Sequence, residues 1–225
     1  MSKFVLVHGL GHGGWCWEPT ATKLAALGHD VTAVDLPLTG LDEDAAVVTD
    51  TLDRLDGPVI LVGHSYGGLV ISRVADGRDD VSQLVYIAAL MIGADDVAGA
   101  KVAEFPPTLF NQRFEVSEDR MITVDSESAV ECFYNECPST VARAAAARLR
   151  PTSVDCLSTP TGAEPWNEIP STYVVCERDQ TIHPDMQRAM STNAGRVHSL
   201  DTDHAPFMSA SNEVLQILIQ AAEES

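Results

Sequence analysis

Apolar and polar positions along this chain alternate between two patterns. Phe4-Val5-Leu6-Val7 and Val59-Ile60-Leu61-Val62 are continuous apolar runs, as expected for parallel strands buried on both faces. Val31 to Val34, Val81 to Ala89, Thr172 to Cys176 and Arg196 to Leu200 are further segments of strand length. Helical patterning lies between them. One helix begins at Glu18-Pro19, runs to about Leu27 and is closed by Gly28. Proline is tolerated in a first turn, and glycine suits a C-terminal cap. Further helices are expected from Leu41 to about Leu55, from Leu69 to Ala75, near Asp185 to Met190, and from about Asn212 to Ala222. Strands alternating with helices predict an α/β fold, a parallel sheet with helices on both faces.

The alternation stops between about Gly93 and Pro170. This stretch holds Phe105-Pro106-Pro107, acidic turns and a helical Val141 to Leu149, and it has no long apolar strand. The expected organisation is one domain, 1–225. Its core comprises 1–93 and 161–225, and a mostly helical cap insertion spans 94–160.

Bulk properties narrow the class. A chain of 225 residues supports one sizeable core. A hydrophobic content of 45% argues against disorder. The formal net charge of -19 would repel nucleic acid and anionic membranes, so neither is expected as a partner. The chain enters a strand directly after Met1-Ser2-Lys3, without a secretory pattern, and no apolar run approaches membrane-spanning length. Cys16, Cys132, Cys137, Cys156 and Cys176 are scattered and odd in number. They read as reduced thiols, and a cytoplasmic location is expected. No ligand cluster has metal-binding spacing, so neither a metal nor another cofactor is expected.

Ligands on parallel sheets bind beyond the carboxyl ends of the strands. That rule selects the loops after Val7, Val62, Cys176 and Leu200. Gly63-His64-Ser65-Tyr66-Gly67 joins a strand to a helix, the context of a nucleophile elbow. A serine needs a base, and the base needs an orienting acid. Chain order assigns Asp179 as the acid and His204 as the base. Glu177, Asp201 and Asp203 compete for the first role, and His183 for the second. The backbone N–H groups of Leu10 and Tyr66 are the expected oxyanion donors.

These residues carry a resemblance. His8-Gly9-x-x-His12-Gly13-Gly14-Trp15-x-Trp17, Gly28-His29-x-Val31-Thr32-Ala33-x-Asp35-Leu36, Gly63-His64-Ser65-x-Gly67-Gly68, Val175-Cys176-x-x-Asp179-x-x-Ile182 and Asp203-His204 resemble the α/β-hydrolase superfamily. Within it they are most similar to the branch of plant methylesterases and hydroxynitrile lyases and its bacterial relatives. The resemblance implies a six-stranded parallel sheet with a helical cap over the serine. It also implies a Ser65-His204-Asp179 triad, acyl-enzyme chemistry and a small-molecule ester substrate. Gly9, His12 and Tyr66 are expected substrate-binding residues, with Phe133 and Trp166 as pocket walls offered by the insertion. The triad lyases of this branch differ at Gly9 and carry a lysine soon after the histidine. Ala205-Pro206-Phe207-Met208 supplies none, so an esterase is preferred.

Three rival readings stand beside it: a hydroxynitrile lyase, a non-catalytic ligand receptor and a dinucleotide-binding oxidoreductase. The last rests on Gly9-x-Gly11-x-x-Gly14 followed by Asp35. Against it, Pro19 stands where the dinucleotide helix should already be under way. Oligomeric state is open at this level, with a homodimer as one option.

Overall fold

The apolar runs form the strands that their pattern predicts. A computed structural model describes residues 1–225. Strands β1 (Lys3–Val7), β2 (Asp30–Ala33), β3 (Val59–His64) and β4 (Val81–Ile87) alternate with helices α1 (Glu18–Ala26), α2 (Leu41–Leu52) and α3 (Gly67–Ala75). The chain then leaves the sheet through α4 (Ala98–Val102), α5 (Leu109–Arg113), β5 (Glu115–Val116), β6 (Met121–Thr123), α6 (Ser126–Phe133), α7 (Ser139–Ala146) and β7 (Thr152–Ser153). It returns with β8 (Ser171–Cys176), α8 (Pro184–Ser191), β9 (Arg196–Leu200), α9 (Pro206–Ser209) and α10 (Ser211–Glu224). No helix is long and apolar enough to cross a membrane.

The main sheet has six parallel strands in the order β2-β1-β3-β4-β8-β9. Every residue of β3 and β8 is buried. Side chains alternate across the sheet, so Val59 and Leu61 join one core cluster while Ile60 and Val62 join the other. Burial on both faces explains why Val59 to Val62 of β3 reads as an unbroken apolar run rather than as alternation. Strand order reverses beside β1, and a crevice opens there at the carboxyl ends of β1 and β3. Val7 pairs with Gly63, so the loops after these two strands begin side by side.

Two differences from the sequence reading concern local pattern. The excursion between β4 and β8 holds helices α4 to α7, but also a three-stranded antiparallel sheet, β5-β6-β7. Its strands have two or three residues, too few to display an alternating pattern. The dinucleotide reading is overturned. A short 3₁₀ turn, Gly14–Trp17, follows the glycines, and α1 starts only at Glu18. Asp35 Oδ1 accepts the Gly14 N–H at 2.7 Å, so the acid meant for a ribose is bound to backbone.

Helix α3 packs so closely on the sheet that a side chain has no room at its start. A Cβ at Gly67 would lie 2.6 Å from the Val7 carbonyl oxygen. We therefore expect Gly67→Ala to lower unfolding free energy by about 1–3 kcal/mol. The check is a lower urea midpoint with an unchanged denaturant slope.

Candidate active site

Ser65 follows β3 with φ of 54°, in the left-handed region that non-glycine residues rarely occupy. Three hydrogen bonds hold it there. Its N–H donates to Ile87 O at 3.2 Å, and its carbonyl accepts from Gly68 N and Leu90 N, each at 3.0 Å. Strain of this kind persists only where the surroundings over-determine the backbone. Gly9 lies directly against the turn: a Cβ there would be 2.7 Å from Ser65 Cβ.

Asp179 and His204 extend from the ends of the adjacent strands β8 and β9. Asp179 Oδ2 accepts the His204 Nδ1–H at 2.7 Å, and both side chains are buried. The same oxygen accepts from Gln187 Nε2 at 2.7 Å. Oδ1 accepts from the backbone of Thr181 at 2.6 Å and of Ile182 at 3.0 Å. Four donors thus satisfy one buried carboxylate, as burial of a charge requires. Gln187 also accepts from Cys176 N and donates to Ile182 O, which ties α8 to the end of β8. Sequence reasoning missed Gln187, because a glutamine on an amphipathic helix carries no signal of its own.

The competing residues are occupied elsewhere. Asp203 turns toward the insertion, where Oδ2 accepts from Glu136 N at 2.9 Å, while Oδ1 accepts from Ser209 Oγ at 2.6 Å. Asp201 pairs with Arg178, and Glu177 with Arg188 and Ser199. His183 Nδ1 accepts from Asp185 N at the start of α8. His64 Nε2 donates to the His204 carbonyl at 2.8 Å, with the two rings 4.6 Å apart. His64 is therefore a prop beneath His204, and burial pushes its pKa well below the ordinary histidine value. His204 makes its hydrogen bonds through Nδ1 and its carbonyl. No hydrogen bond joins its Nε2 to Ser65 Oγ in this structure; such contacts often tighten only around substrate.

The loop after β1 is held by two more buried histidines. His8 Nε2 accepts from Leu36 N at 2.9 Å, so its proton sits on Nδ1 and is donated to Gly9 O at 2.9 Å. The His12 backbone N–H reaches the same carbonyl at 3.3 Å. Gly9 C=O and Leu10 N–H belong to one peptide, so both bonds orient the Leu10 N–H. His12 Nδ1 donates to Leu10 O at 2.8 Å, and its Nε2 accepts from Tyr134 Oη at 2.8 Å. The Leu10 and Tyr66 N–H groups themselves meet no backbone acceptor.

Leu10, Ser65 and Tyr66 line one cavity of about 200 Å³, with Val102, Phe110 and Ile182 among its apolar walls. A pocket of about 90 Å³ adjoins it, sharing Leu10, Phe110 and Ile122 and adding Phe133. The Phe133 ring lies 5.8 Å from that of His204. Two expected substrate contacts are corrected. His12 is enclosed among Leu10, Trp15, Phe133 and Tyr134 and shapes the loop from behind. Trp166 stands in the turn Pro165–Asn167, packed on α3 and edge-on to Tyr86, away from the cavity. An aromatic ring in a loop can pack either way, and its sequence does not reveal which.

Burial lowers the pKa of His8 to about 4 and of His12 to about 3. The unfolded chain takes up these protons near pH 6.5, so acid favours unfolding across that window. Stability should fall as pH drops from about 6.5 toward 4, by up to about 1.4 kcal/mol per pH unit for each histidine. Urea titrations across this range should show a shallower dependence in His12→Gln.

Comparison with known proteins identifies the family to which this fold belongs. Residues 4–217 match a model described as an alpha/beta hydrolase family. Methylesterase 18 of Arabidopsis thaliana is 30% identical, over 97% of this chain and 96% of its own. A pyrethroid hydrolase from Sphingobium faniae JZ-2 superimposes with a TM-score of 0.87 at 25% identity, covering 99% of this chain and 97% of its own. A methylesterase from Arabidopsis shares the fold, with a TM-score of 0.85 at 23% identity and 99% of each chain covered. The methylesterase relatives support an esterase function, and the chain belongs to the alpha/beta hydrolase family.

Proposed function

We propose that this protein hydrolyses small carboxylic esters, methyl esters among them, through an acyl-enzyme on Ser65. His204, oriented by Asp179, takes the serine proton as Ser65 attacks the ester carbonyl. The N–H groups of Leu10 and Tyr66 stabilise the oxyanion. His204 returns the proton to the departing alcohol, then activates the water that releases the acid. The observation that carries this reading is the buried 2.7 Å Asp179–His204 hydrogen bond, on loops beside a serine held at a φ of 54°.

The cavity supports an uncharged ester. Its 14 lining residues include no Lys, Arg, His, Asp or Glu. Among its polar members, Asn111 Oδ1 accepts from Thr108, and Thr181 donates to Cys132 O. A departing cyanide would find no cation there, which favours ester over cyanohydrin cleavage. Arg150, beside the smaller pocket, donates to the carbonyls of His12 and Leu36. The acid product gains a negative charge in a chain of net charge -19, and repulsion favours its release.

Ser65→Ala should reduce turnover of a chromogenic ester by about 10³-fold or more while leaving the fold unchanged. Unaltered turnover in that variant rules the mechanism out. The two neighbouring buried aspartates should separate cleanly. Asp179→Asn is expected to lower kcat by about 10⁴-fold, because the amide favours the wrong histidine tautomer. Asp203→Asn, which leaves the Asp179–His204 hydrogen bond in place, should cost less than about tenfold. Steady-state kinetics on both variants provides the comparison.

A further inference from the structure

A third buried carboxylate, Asp44, lies apart from Asp179 and Asp203. It occupies the first turn of α2. Asp44 Oδ1 accepts the Leu38 N–H at 2.7 Å. Oδ2 accepts the Tyr66 phenol at 2.7 Å and the Cys156 thiol at 3.6 Å. Its donors therefore come from three separate places: the loop before α2, the nucleophile elbow and the end of the β4–β8 excursion. Leu38 has a φ of 61°, and its carbonyl accepts from Ser153 N at 2.9 Å. The chain thus adopts a left-handed residue just where its N–H meets Asp44. A buried carboxylate held this tightly fixes the position of what donates to it.

Tyr66 is the donor that matters for the site. It is the residue after Ser65, its ring is fully buried, and it lines the cavity. Its N–H has no backbone acceptor. The phenyl ring is rigid and turns on only two side-chain torsions. With the phenol oxygen pinned at Asp44 and the backbone entering α3, both ends of the residue are held. The two amides proposed for the oxyanion are then anchored differently. Leu10 is held through its peptide plane by His8 and His12, whereas Tyr66 is held through its own side chain.

We propose that Asp44 is a positioning residue, which aims the Tyr66 N–H at the oxyanion by clamping the Tyr66 phenol. This rests on the ester-hydrolase reading above. Aim matters because an oxyanion donor contributes only within about 2.7–3.1 Å of the developing charge. The clamp therefore acts on the transition state and leaves ground-state binding nearly untouched.

The test uses p-nitrophenyl butyrate turnover, with rates normalised to Ser65 titrated by an aryl phosphonate, and inhibition by a trifluoromethyl ketone, whose serine adduct carries an oxyanion. Tyr66→Phe removes one oxygen atom. It should lower kcat by about tenfold, change KM by less than about twofold, and weaken the ketone by the same factor as kcat. Asp44→Ala should act in the same direction. Asp44→Asn should retain activity within about threefold of the parent, because its oxygen can still accept from Leu38 while its amide donates to the phenol oxygen. Should Asp44→Ala fail to fold, Tyr66→Phe and Asp44→Asn decide the matter.

A Tyr66→Phe enzyme whose kcat and ketone inhibition stay within about twofold of the parent overturns the clamp alone. So does an Asp44→Asn enzyme whose kcat falls as far as that of Tyr66→Phe. A parent protein that neither turns over ester nor reacts with the phosphonate overturns the hydrolase reading, and this inference with it.

Discussion

The hydrogen bond between Asp179 and His204 places the strictest demands on the surrounding structure. Removing a carboxylate from water is tolerated only when its oxygens are filled by donors. Here the donors arrive from the turn after β8, from Gln187 on α8 and from the loop after β9. Each needs a neighbour in register. Cys176 pairs with Leu200 at the ends of β8 and β9, which brings the acid and histidine loops together. The sheet thus acts as a jig, and the cost of a misplaced strand would be an unsatisfied buried charge.

The same logic extends through the other buried histidines. His8, His12 and His64 each present polar atoms to a backbone carbonyl in apolar surroundings. Burial keeps them neutral, and their partners select the tautomer of His8 and His12. They work as struts whose hydrogen bonds have direction, a property that aliphatic packing lacks. His8 and His12 orient the loop after β1, and His64 supports the backbone of His204. Most acidic side chains lie at the surface instead, where several pair with arginines.

Much of the architecture is legible in the sequence. Continuous apolar runs marked β1 and β3 because both faces of the sheet are covered. Gly63-x-Ser65-x-Gly67 was readable because the backbone there needs small residues at close approach. The pairing of Asp179 with His204 followed from chain order, and the 2.7 Å contact between them agrees with it. By contrast, β5, β6 and β7 leave no mark in the pattern, since strands of two or three residues show no period.

The sequence by itself determined the sheet, the elbow and the order in which serine, acid and histidine reach one edge, because all of these depend on local pattern. Only the tertiary structure decided which side chains meet. It separated Asp179 from Asp203, moved His12 and Trp166 out of the cavity wall, and brought Gln187 and Asp44 into contact with the site. Those choices rest on contacts between residues far apart in the chain, and nothing in a residue's immediate neighbours records where its side chain will find a partner.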